Sequence, residues 1–144
     1  IPSAGFTYVG WARLISTTTD YRTLLRSTPN DHALTIPNAS STLGMFDNDS
    51  VGFVSAGYDT TNLYTTWIQW AVTGTNTAQT FYINGQQVGT VSGQTAAGNN
   101  HNLTGGINTT QNFGYIANMF LYTAKLTDEQ IQQNYYGYKG TFGV

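Results

Sequence analysis

The 144-residue chain contains no cysteine, which excludes disulfides and thiolate metal sites and leaves stability to packing or assembly. It is also poor in charge: Asp, Glu, Lys and Arg make up 8% of the residues, against about 25% in an average soluble domain. Thr, Asn, Gln, Ser and Gly must supply the polar surface, a composition common on β-rich faces that are hydrated or packed against neighbouring subunits. The five basic residues, Arg13, Arg22, Arg26, Lys125 and Lys139, form no stripe and the net charge is -2. Neither a nucleic-acid footprint nor an anionic-membrane surface is therefore written in the chain. No apolar run approaches the roughly 18 residues of a membrane helix, and no membrane partner is expected.

What is present is a β pattern. FYINGQQVGT sets Asn84-Gly85 between two alternating apolar runs, the strongest short-range signal for a two-residue type I′ hairpin, because both central residues must take φ > 0. Simple two-residue geometry then predicts Phe81 opposite Val88. Further short strands are expected at Phe6 to Leu14, Tyr21 to Ser27, His32 to Ile36, Leu43 to Phe46, Val51 to Ser55, Trp67 to Thr73 and Phe113 to Tyr122. Such spacing indicates an all-β sandwich or barrel rather than βαβ units. One helix interrupts it. LTDEQIQQNY offers Thr127 as N-cap with Gln130 three residues on, and Leu126 and Ile131 are spaced to staple the entry angle. Two helical turns are expected, ended by Gly137, then a last strand from Tyr138 to Val144.

The opening FTYVGWARL, the strand WIQWAVT, the hairpin FYINGQQVGT and the ending IANMFLYTAKLTDEQIQQNY together resemble the laminin-G-like, concanavalin A-like jelly-roll family. The resemblance covers nearly the whole chain and implies one domain over residues 1–144: two antiparallel sheets with one short C-terminal helix. Family members usually carry another strand before the segment that matches FTYVGW. With Ile1-Pro2 reading as the tail of a strand, a longer polypeptide is expected on the N-terminal side. The ending NYYGYKGTFGV is similar to the ends of laminin-G-like structural proteins of tailed phages.

Hydrolysis of a glycoside needs two carboxyl groups about 5 to 10 Å apart. The chain has one glutamate, Glu129, which has an ordinary role at a helix N-terminus, and of its six aspartates only Asp47 and Asp49 share i, i+2 spacing, in an expected turn rather than a strand. No nucleophile elbow, P-loop or zinc signature is present, so the chain reads as non-enzymatic. Calcium favours carboxylate and carbonyl oxygens, which makes Asp47, Asp49 and Asp59 candidate ligands; a plain Asx turn is the competing reading, and no other cofactor is expected. For a glycan, Tyr58, Tyr64 and Trp67 are candidate platforms, with burial or a subunit contact as the alternative. Trp67 and Trp70 have opposite parity, so one points away from the side that the other fills. Tyr135, Tyr136 and Tyr138 beside the helix are candidate interface residues, or else caps on the sandwich.

The expected function is a non-catalytic structural or attachment module of a virion surface or other extracellular assembly. It would act through protein contacts in a homo-oligomer or with other structural subunits, and through glycans. The alternative is a carbohydrate-binding module of a secreted bacterial hydrolase or adhesin.

Overall fold

The computed structural model describes residues 5–16, 19–27, 31–47, 51–75, 77–92, 101–103 and 111–144. Ile1, Pro2 and Asp49, named above, lie outside them. Among the described residues the strands are β1 (Phe6–Leu14), β2 (Arg22–Ser27), β3 (His32–Ile36), β4 (Thr42–Asp47), β5 (Gly52–Asp59), β6 (Ile68–Gly74), β7 (Ala78–Ile83), β8 (Gln86–Ser92), β9 (His101–Leu103) and β10 (Gly114–Tyr122). They form two five-stranded antiparallel sheets, ordered β10-β1-β6-β7-β8 and β5-β4-β3-β2-β9. The sandwich expected from the strand spacing is therefore the fold.

Period-two alternation explains how β1 serves two cores at once. Phe6, Tyr8, Ala12 and Leu14 point between the sheets, where they meet Leu24, Leu34, Met45, Trp70, Phe81 and Phe113. Val9 points the other way and packs with Ala71, Tyr82 and Ile131. Trp11, on that same outer side, stacks on Tyr135 and Phe142 at centroid distances of 5.8 and 4.3 Å. The parity argument for the tryptophans holds: Trp70 fills the main core, and Trp67, just before β6, lies 5.5 Å from Phe142 on the outer side.

The type I′ turn forms with Asn84 at φ 51° and Gly85 at φ 78°. The predicted register does not: Phe81 pairs with Gly89 and Tyr82 with Gln87, leaving Val88 as a bulge in β8. The physical reason lies across the sandwich. At Gly89 an added Cβ would lie 2.1 Å from the Ala56 carbonyl oxygen of β5, so the bulge sets a residue without a side chain where the two sheet edges close on each other.

The last element, α1 (Asp128–Tyr138), begins as expected. Thr127 and Gln130 form the capping box, with the Gln130 N–H on the Thr127 hydroxyl at 3.3 Å and the Thr127 N–H on Gln130 Oε1 at 2.9 Å. Ile131 is fully buried against the first sheet with Leu126 beside it. The far end departs from expectation. Gly137 does not stop the helix, which makes three turns, and Lys139–Phe142 is a 3-10 turn rather than a strand. That tight turn returns Phe142 onto Trp11, an aromatic contact that outweighs the local preference of glycine to end a helix.

Candidate functional site

The residues proposed for ligands from sequence are dispersed. Tyr58 lies within β5 and packs against the main core, as does Tyr64, whose hydroxyl accepts a hydrogen bond from Arg22 Nη1 at 2.8 Å. Both are half-buried rather than raised as platforms. Trp67 and Tyr115 flank Arg13, whose guanidinium carbon is 5.8 Å from one ring centre and 4.5 Å from the other. The candidate platform Trp67 thus shares a guanidinium with Tyr115 and also lies against Phe142.

Of the calcium candidates, Asp49 lies outside the described residues, and the other two are separated. Asp47 pairs with Gly52 at one end of the β4–β5 ladder and Asp59 sits opposite Thr42 at the other. Five strand steps, about 17 Å, part the two carboxylates, so they cannot share one ion. Asp59 instead accepts from the Thr61 N–H and hydroxyl at 2.9 and 2.6 Å, which makes it an Asx turn. Hydrogen bonds from Ser41 and Thr61 hold its carboxyl below the usual range. Of the interface candidates, Tyr135 stacks on Trp11, Tyr138 lies 5.4 Å from Phe120, and Tyr136 is exposed.

The arrangement that does converge was not foreseen. Cross-strand pairing sets Arg26 of β2 beside His32 of β3, and His32 beside Phe46 of β4. Neighbours in such a row share one face of the sheet, here the outer face of the second sheet. Tyr21, just before β2, and Gln111, just before β10, complete a cleft of about 170 Å³. Its walls are aromatic: Tyr21 meets Phe46 edge to face at 5.5 Å, and the His32 ring is 6.2 and 5.6 Å from the two. The Gln111 Oε1 is buried without a hydrogen-bond partner.

The protonation of His32 follows from counting hydrogens. The Thr35 hydroxyl donates its one hydrogen to the Arg22 carbonyl at 3.2 Å, so at the 2.9 Å contact between Thr23 and Thr35 the donor is Thr23. Thr23 then has no hydrogen left for His32, and Nδ1 must donate to it at 2.8 Å. His32 is therefore the Nδ1–H tautomer, with Nε2 as a lone-pair acceptor. Burial, then the charge of Arg26, lowers its pKa to about 4, so the ring is neutral at pH 7. One small cleft thus combines ring walls, a guanidinium, a neutral acceptor and an amide with a spare carbonyl.

A larger trough of about 370 Å³ runs between β7, β8 and the start of α1, lined by Thr80, Tyr82, Gln87, Lys125, Asp128 and Glu129. Tyr82 donates to Asp128 at 2.7 Å, and burial together with that bond pushes the phenol up to about 12. Tyr82 is 2% exposed, so the trough has polar walls and no ring to stack on. Among the described residues no three His, Asp or Glu side chains gather as a metal centre.

Comparison with known proteins places the fold. Residues 1–132 match the concanavalin A-like lectin/glucanases superfamily, and the chain belongs to this family, laminin-G-like in its motifs. No curated protein matches the chain in sequence. Similar solved structures include the Trypanosoma rangeli sialidase (TM-score 0.71, 14% identity, 95% of this chain and 23% of the sialidase). Another is a botulinum neurotoxin type C structure described through its interaction with two ganglioside molecules (0.64, 20%, 93% and 36%). A third is the binding domain of botulinum neurotoxin DC in complex with SialylT (0.63, 17%, 93% and 36%). The chain spans about a quarter to a third of these proteins, and at such identities the likeness is one of fold.

Proposed function

We propose that this domain is a non-catalytic attachment module that recognises a neutral sugar residue in the cleft of Tyr21, Arg26, His32, Phe46 and Gln111. The observation that carries the reading is the convergence of two aromatic walls with a neutral imidazole acceptor and an unsatisfied amide oxygen. Sugar rings offer apolar C–H faces to aromatic walls and hydroxyl hydrogens to acceptors, and a buried acceptor without a partner favours whatever ligand satisfies it. Glycans in the descriptions of two structural neighbours lend support at the level of the fold. The absence of turnover is part of the proposal. Glu129, the one glutamate of the chain, has its carboxyl held below the usual range by its own backbone N–H and the Thr127 hydroxyl, an arrangement suited to helix capping and unsuited to a general acid.

Glycan-array binding of the wild type, Tyr21→Ala and Trp67→Ala proteins tests the site. Loss of at least tenfold in Tyr21→Ala with an unchanged melting temperature is expected, with Trp67→Ala binding normally. The reverse pattern, or steady hydrolysis of the bound glycan, would refute it.

A virion surface or another extracellular assembly is the setting this proposal favours. The feature in its favour is the charge-free edge strand β10, which suits contact with further subunits.

A further inference from the structure

β10 is unlike the other strands of its sheet. Seven of its nine residues, in GYIANMFLY, are apolar or aromatic and none is fully buried, whereas eight of nine are buried in neighbouring β1. Two of the most exposed large apolar side chains of the described residues, Tyr115 (57%) and Leu121 (58%), lie on it. Among the described residues it is an edge strand, paired on one side with β1. Proteins ordinarily blunt such an edge with charge, proline or a bulge. β10 has neither charge nor proline, and its bulge at Ala117, where Trp11 pairs with Asn118 and Ala12 with Ile116, leaves Asn118–Tyr122 regular. The opposite edges are treated differently: β5 and β8 close on each other at Ala56 and Gly89.

We propose that the Asn118–Tyr122 edge pairs antiparallel with the same segment of a second copy, joining the two first sheets across a two-fold axis at Phe120. Three features select a second copy as the occupant. The segment carries no charge, so it meets itself without the repulsion that would call for a complementary partner. A two-fold at Phe120 sets Met119 opposite the partner's Leu121, both on the face turned towards the second sheet, and gives the exposed Leu121 an apolar neighbour. On the outer face the same axis brings Phe120 against its own copy, extending the Phe120–Tyr138 aromatic contact across the interface. A five-residue ladder is about 17 Å long, a short contact, so a weak dimer whose population depends on concentration is expected.

Sedimentation velocity from 5 to 300 µM, with hydrogen exchange at both ends of that range, decides the matter. The wild type should pass from monomer to dimer, with amides of 118–122 gaining protection as concentration rises. Leu121→Lys, at a site exposed enough to leave folding intact, should remain monomeric with an unaltered circular dichroism spectrum. Val51→Lys, equally exposed but at the β4–β5 end, should dimerise as the wild type does. A wild type monomeric at 300 µM, or a dimer that survives Leu121→Lys, overturns the proposal. Because none of these variants touches the cleft, glycan binding can fail while dimerisation stands, and the reverse.

Discussion

Acid should weaken this fold through His32. The imidazole is 6% exposed and its pKa falls from 6.5 to about 4 in the folded chain, chiefly by burial and then by the charge of Arg26. The unfolded chain takes up a proton near pH 6.5, whereas the folded chain keeps the ring neutral down to about pH 4. The neutral ring's contribution to stability is thus full above pH 6.5, is lost as the pH falls from there to about 4, and is constant below. The whole gap corresponds to about 3 kcal/mol at about 1.4 kcal/mol per pH unit, of which about 2.5 kcal/mol is lost between pH 7 and 4.5. For a domain of this size that lowers the melting temperature by roughly 8 °C.

Urea unfolding at pH 7 and 4.5 measures it, with His32→Gln as the control that cannot titrate. Arg26 faces the ring from β2, and the buried carboxylates of Asp31 and Asp47 lie beside it and Phe46 in the chain. These groups, like His101, are common to both proteins and cancel in the difference. His32→Gln is expected to be less stable at pH 7 and to lose about 2.5 kcal/mol less on acidification. Equal losses in the two proteins would show that the imidazole is already free to protonate in the fold, and the argument that burial and Arg26 keep it neutral would fall.

Three further outcomes can be checked by the same unfolding measurements. Gly89→Ala forces a methyl group to 2.1 Å from the Ala56 carbonyl oxygen and should cost about 2 to 4 kcal/mol, while Gly140→Ala, which meets nothing within 4 Å, should be near neutral. Ile131→Ala empties the fully buried contact between α1 and the first sheet. A loss of about 2 to 4 kcal/mol is expected, with a weakened near-ultraviolet signal from Trp11. Thr127→Ala removes half of the capping box and should cost about 1 kcal/mol.

How far these features could be read without coordinates depended on the range of the interaction that decides each. The Asn84-Gly85 turn and the Thr127 cap were legible because each is settled within about four residues: positive φ in one, reciprocal hydrogen bonds in the other. The register of the same hairpin was not, since the Val88 bulge answers to Ala56 on another sheet. The end of α1 was misread for a like reason, Phe142 being drawn back by Trp11 from the start of the chain.

The cleft is the extreme case, built from Tyr21, His32, Phe46 and Gln111 through the pairing of three strands and a loop. In the fold, one strand shows how it arises. In HALTI every residue is buried, and a histidine in a strand with no exposed position must either bond inward or line a recess. Here it does both: Nδ1 is held by Thr23, and that bond leaves Nε2 to whatever enters between Tyr21 and Phe46. The hydroxyl relay through Thr23 and Thr35 to the Arg22 carbonyl therefore connects fold to function, because the contacts that keep β2 on β3 also select the tautomer a ligand would meet.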